Sequence, residues 1–322
     1  MAKGNVKIKM HRLVESEVLS EEEEVAMQSG LDSKILKDVS RSFYLSLRFL
    51  PKSFRPAASV GYLLARISDT FADATIWSIQ ERRDYLESYR RSILEGGEFC
   101  FSGSLDGLPE GEAILLKHIG NCQEALSHLP QVEQNAIKKV VGTITEGQKW
   151  DLVRFDGSGI VSLSSQKELR NYTYQVAGCV GEFWTEIGFE TISDFARASR
   201  AQMNEWGRLY GHSLQLINII RDAPEDWANG RCYLPGVREQ RDLMMQRDPW
   251  IQEALECLEA AESYSNALNG KRLRFATLLP ALIGKETLLR LQDSSWDEWR
   301  QKVKVSRSKV RQLMIEAVRF AL

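Results

Sequence analysis

From Asp32 onward, apolar residues recur at three- and four-residue steps along nearly the whole chain, and the period-2 alternation of a half-buried strand is essentially absent. The pattern is interrupted at Pro51, at Gly96-Gly97, between Gly103 and Pro109, at Pro130, at Gly157-Ser158-Gly159, at Gly230 and at Pro235. These stops predict helices of roughly 15 to 35 residues. No segment repeats another, so the expected architecture is all-α, one orthogonal helical bundle over residues 31–322 rather than a solenoid. Residues 1–30 are polar, include the run Glu21 to Glu24 and lack a sustained apolar period; they read as an N-terminal arm.

Composition narrows the function classes. A chain of 322 residues, 43% hydrophobic with only 8 Pro, can bury a large core. Its 42 Lys+Arg against 44 Asp+Glu leave a net charge of -2, with no long basic stretch, which argues against a nucleic-acid partner. Cys100, Cys122, Cys179, Cys232 and Cys257 are scattered and form no CxxC pair, so neither a disulfide framework nor a zinc site is indicated and a reducing, cytoplasmic setting is expected. No apolar h-region follows the lysines of Met1 to Met10, and no stretch approaches the roughly 18 apolar residues of a membrane span. Loose docking on the inner membrane face is compatible with this. Oligomeric state is not legible.

Two acidic pairs carry the candidate chemistry. In the segment Tyr62 to Asp73, Asp69 and Asp73 are four residues apart, so both project from one helix face, with Arg66 and Tyr62 on the same side. Like charges at this spacing repel by a few tenths of a kcal/mol, a sign that a divalent cation would reverse. In the segment Gln215 to Asp226, Asn218, Asp222 and Asp226 again step by four, with Arg221 beside them. Hard oxygen ligands in this number suit Mg2+, which completes its shell with water and substrate phosphates. Pro224 is expected to kink or loosen the helix between Asp222 and Asp226. A lone DxxxD is most often a solvated face. Two such pairs, each embedded among Leu63, Leu64, Ile67 or Leu216, Ile219, Ile220, imply burial instead, and buried carboxylates need a cation.

These residues resemble the two aspartate-rich signatures of the squalene/phytoene synthase family, a likeness extending from about Leu31 to Leu313. Its most specific stretch is Asn218 to Asp226 followed by Gly230-Arg231-Cys232-Tyr233-Leu234-Pro235; Ser40 to Phe43, Gly147 to Phe155, Tyr172 to Gly181 and Val303 to Ser308 also match. The resemblance implies an isoprenoid-synthase bundle with a central cavity and a prenyl diphosphate substrate. It implies Mg2+ held by Asp69, Asp73, Asn218, Asp222 and Asp226, and diphosphate contacts from Arg41, Ser42, Tyr62, Arg66, Gln215 and Arg221. It further implies a catalytic role for Tyr172, room for prenyl tails beside Val176, Ala177 and Gly181, and NADPH contacts from Lys304 and Arg307. Away from the resemblance, each of these residue types has a plainer use: tyrosines are often core, small residues serve packing, and a basic cluster is usually a solvated face.

The implied reaction is head-to-head condensation of two farnesyl diphosphates through presqualene diphosphate to squalene, with NADPH as reductant. Carotenoid-type (phytoene or dehydrosqualene) synthases and presqualene diphosphate synthases remain alternatives. A class I terpene cyclase is disfavoured because the second motif lacks its N-D-x-x-S/T-x-x-x-E form, and a helical assembly factor without catalysis would be expected to lose aspartates. The chain departs from the family in carrying Ala72 where many squalene synthases have a third acid, and Ala276 where animal ones have Phe. It ends at Leu322 without the membrane helix of eukaryotic squalene synthases, which points to a bacterial type.

Overall fold

The structure, a computed structural model, describes Leu47, residues 50–157 and residues 159–321. Arg41 and Ser42, with the Ser40 to Phe43 match and the N-terminal arm, lie outside the described residues. The first half comprises α1 (Arg55–Asp73), α2 (Ile79–Glu95), α3 (Glu110–Lys117), α4 (Ile119–His128) and α5 (Gln131–Arg154). The second comprises α6 (Gln166–Thr173), a π-helical turn (Tyr174–Gly178), α7 (Cys179–Thr191), α8 (Arg200–Ala228), α9 (Gln240–Ala267), α10 (Lys271–Asp293), α11 (Trp296–Arg300) and α12 (Arg307–Ala321). Local chemistry sets several starts. Ser78 with Glu81, and Ser295 with Glu298, form capping boxes, while Ser165 and Ser199 accept from the third residue of α6 and α8.

The apolar faces meet in two large cores. One gathers Leu63, Leu64, Ile67 and Phe71 of α1 with residues of α2, α4, α5 and α7. The other gathers Leu216, Ile219 and Ile220 of α8 with α9, α10 and Trp299 of α11. The apolar neighbours of both acidic pairs are buried as expected, but the carboxylates themselves are not: Asp69, Asp222 and Asp226 are half-buried and Asp73 is exposed, each pair sitting on the rim of a different core. Among the described residues no helix is long and apolar enough to cross a membrane, and all five cysteines are free.

One feature escaped the periodicity. Val161–Ser162 and Arg231–Cys232 form a two-residue parallel ladder, with Val161 donating to the Gly230 carbonyl and Leu163 to that of Cys232, both at 2.9 Å. Strands this short carry no alternation to read. The ladder ties the loop after α5 to the loop after α8, and the positive φ of Gly230 (81°) makes the turn into it. Pro224 does not end α8, which runs on to Ala228 with Asp222 and Asp226 both on it.

Helices α7 and α8 cross at backbone contact. A Cβ built on Gly181 would lie 1.9 Å from the Gly207 carbonyl oxygen, and one on Gly211 2.3 Å from that of Ala177. Of the small residues singled out in the sequence, Gly181 thus permits the crossing, whereas Ala177 offers only its carbonyl to Gly211; both border open space.

Candidate active site

Both acidic pairs open onto one polar cavity of about 490 Å³. Asp69 and Asp73 enter from the end of α1, Gln215, Asn218, Asp222 and Asp226 from α8, Tyr172 from α6 and Val176 from the π-helical turn, so eight of the residues expected from the sequence line it together. Gln148 and Asp151 of α5, with Arg231 and Tyr233 after α8, complete the wall. An adjoining apolar pocket of about 210 Å³ is bordered by Ala177, Gly181, Trp184, Tyr264 and Ala276, and Val176 of the π-helical turn faces both spaces.

Arg66 and Arg221 hold carboxylates and, unlike Arg231, are not in the cavity lining. Arg66 donates to Asp69 at 2.9 Å and reaches Glu112 at 3.4 Å; Gln148 donates to the other Asp69 oxygen at 2.8 Å. Arg221 grips Asp222 with two donors, at 2.9 and 2.5 Å. Tyr62 is half-buried one turn before Arg66, where burial raises its phenol, Arg66 opposes the rise and Asp69 adds to it. Arg82 of α2 donates to the Ala72 carbonyl at 2.8 Å and so fixes the last turn of α1, where Asp73 sits.

Charge in the cavity is unbalanced. Asp73 is open to the cavity, yet desolvation by the protein around it, then Asp69, push it up to about 6, with Arg66 and Arg231 pulling the other way. Burial, then Asp222, pushes Asp226 up to about 7, again against Arg231. Asp69 is raised by burial despite Arg66 and Gln148. Asp151 raises both Asp73 and Asp226, so the two clusters share one electrostatic environment. The Gln148 Oε1 atom is buried without a hydrogen-bond partner. An excess of acid, an unpaired amide oxygen and the amide of Asn218 form a hard-oxygen donor set that fits Mg2+. Among the described residues no three acidic, His or Cys groups close on one point, so any ion would take much of its shell from water or phosphate oxygens.

Asp151 and Tyr233 were not singled out as site residues in the sequence. Tyr233 donates to Asp151 at 2.6 Å, Arg231 lies 3.5 Å from the other oxygen, and the Tyr172 ring stacks on Tyr233 with centroids 5.1 Å apart. The signal available was the i, i+2 spacing of Arg231 and Tyr233 within a matched motif, which puts both on one side of a strand. Tyr172 is raised well above the ordinary phenol value by burial, then by Tyr233 and Asp151, so it stays protonated and acts as a donor. Tyr233→Phe should cost about 1.5–3 kcal/mol, read as a drop in thermal or urea stability, because it strips a charge-assisted hydrogen bond from a buried carboxylate. Lys304 and Arg307 are exposed and stand outside the lining of both cavities.

Comparison with known proteins bears on the family and the fold. A family model described as squalene/phytoene synthase matches residues 36–309. The chain is 28% identical to a 4,4'-diapophytoene synthase of Staphylococcus haemolyticus over 64% of its length and 61% of the relative's. It is 30% identical to a presqualene diphosphate synthase of Zymomonas mobilis over 61% of its length and 56% of the relative's. The match thus spans less than two thirds of these relatives. In three dimensions it superposes on a ligand complex of TcSQS with a TM-score of 0.75, covering 89% of this chain and 85% of that one at 21% identity, which shows the shared fold.

Proposed function

The chain belongs to the squalene/phytoene synthase family, and from that premise we propose that it joins two prenyl diphosphates head to head, with farnesyl diphosphate as donor and acceptor. The observation that carries this reading is the pair of facing carboxylate clusters around one polar cavity that opens, past Val176, into an apolar pocket. A diphosphate head fits the first space and an isoprenoid tail the second.

Asp69, Asp73, Asn218, Asp222 and Asp226 would hold Mg2+, which neutralises charge developing on the departing pyrophosphate. Arg66 and Arg221 lie behind the carboxylates, where guanidinium groups can turn towards phosphate oxygens. The apolar walls would exclude water that would quench an allylic cation, and the aromatic cluster of Trp150, Tyr172, Tyr233 and Phe155 lies beside the site where that cation would form. Tyr172, kept protonated, would offer its O–H to a diphosphate oxygen in the cavity. Squalene is the product favoured by the motif resemblance. Because Lys304 and Arg307 stand apart from both cavities, the reductive step is left to experiment.

Purified protein incubated with farnesyl diphosphate and Mg2+, with and without NADPH, tests this directly. Squalene formed only with NADPH is the expected result. A C30 carotenoid precursor or presqualene diphosphate as end product would keep the condensation and replace the product; no consumption of any prenyl diphosphate would overturn the reading.

A further inference from the structure

Pro224 has no N–H, so the carbonyl of Ile220, four residues back in α8, loses its helical donor. Ile220 is fully buried, and a buried carbonyl without a partner is costly. The missing donor arrives from elsewhere in the chain: the indole N–H of Trp299, itself fully buried, donates to the Ile220 oxygen at 2.8 Å. Along the axis of α8 this bond falls between Asn218 and Asp222, on the core-facing side of the same turns that carry the second carboxylate cluster.

Trp299 is in turn immobilised. It sits on the short helix α11, closed by the Ser295/Glu298 capping box, with Trp296 packed edge-on at 5.7 Å. The guanidinium of Arg247 lies over its ring at 5.4 Å. Arg247 is only 5% exposed and donates to the carbonyls of Ser294 at 2.7 Å and Gln292 at 3.1 Å, at the end of α10. A chain of directed contacts therefore runs from α9 and α10 through Trp299 to the one carbonyl of α8 that the proline deprives. Beyond that carbonyl lie Asp222 and Asp226, and Lys302, just after α11, pairs with Glu225 at 2.5 Å on the same turn.

We propose that Trp299 is a positioning residue for the second carboxylate cluster: its N–H replaces the bond that Pro224 removes and so sets how Asp222 and Asp226 are presented to a magnesium diphosphate. This rests on the functional reading above. Pro224 and Trp299 form a complementary pair, one removing a donor and the other supplying it.

The pairing yields a rescue test. Trp299→Phe keeps the aromatic bulk but removes the N–H, and Pro224→Ala restores a backbone N–H to the same carbonyl. Binding of inorganic pyrophosphate in the presence of MgCl2, measured by calorimetry on the full chain, is the readout, with thermal melting alongside. Trp299→Phe should weaken binding about tenfold, the lower end of what loss of an outer partner costs a metal site. The Pro224→Ala/Trp299→Phe double variant should bind within about twofold of Pro224→Ala alone, because the carbonyl again has a donor. If Trp299→Phe melts earlier but binds as tightly as the wild type, or if Pro224→Ala gives no rescue, Trp299 only packs and the positioning role is overturned. If the wild type fails to bind magnesium pyrophosphate and Asp222→Asn makes no difference, the functional reading fails and this role with it.

Discussion

Asp226→Asn is expected to stabilise the metal-free protein at pH 8 while lowering turnover of farnesyl diphosphate by roughly 10²- to 10³-fold or more. The two effects have one cause. Asp226 is raised to about 7 by burial and by Asp222. A group whose folded pKa lies above its unfolded value of 3.8 adds stability in its protonated form, and that contribution is lost as pH rises through the folded value. Asp73, raised to about 6, acts in the same sense. Asparagine keeps the shape and removes the charge, so the gain in melting temperature over wild type should be smallest near pH 4, grow between about pH 4 and 7 and level off by pH 8. His212, lowered by burial, opposes this trend over the same range, so the comparison is between variant and wild type at each pH rather than along one curve. MgCl2 with pyrophosphate should stabilise the wild type and leave the variant little changed. A variant that is both fully active and no more stable than wild type at pH 8 would show that the carboxylate neither repels its neighbours nor serves the reaction.

Gly181→Ala should be the most damaging single-methyl change in the bundle. The added Cβ would sit 1.9 Å from the Gly207 carbonyl oxygen, a backbone atom that cannot swing aside. Helix α7 must therefore move off α8, at the upper end of, or beyond, the ~1–3 kcal/mol typical of overpacking. Because Gly181 and Gly207 both border the apolar pocket, the shift also deforms the space assigned to the prenyl tail. Gly120→Ala is the matched control: it is the second residue of α4, nothing stands within 4 Å of its added Cβ, and alanine should be neutral or stabilise by less than the ~0.5–1 kcal/mol of a mid-helix site. Equal melting temperatures for the two variants would mean that the crossing is looser than it stands.

The acidic pairs were legible because helical spacing alone places Asp69 with Asp73, and Asn218 with Asp222 and Asp226, on single faces, and their apolar neighbours alone imply burial. The fold class followed from the same periodicity. Pro224 was legible as a disturbance but not in its resolution, since its compensating donor, Trp299, is distant in the chain and nothing in its local sequence distinguishes it from other core aromatics. Tyr233 and Arg231 were visible as parts of a motif. Their direction was not, because the two-residue ladder that turns them towards Asp151 is too short to leave a pattern.

What the sequence by itself determined is therefore everything that depends on spacing within one helix: the all-α architecture, the two carboxylate stripes, and the small residues available for close packing. Only the tertiary structure decided that the two stripes face one cavity, that Asp151 from α5 joins both through electrostatics, and that Val176 connects a polar space with an apolar one. The physical reason is range. Helical periodicity is a property of neighbours three and four apart, whereas a shared cavity depends on how distant helices are brought together, and its walls come from α1, α5, α6 and α8, far apart in the chain.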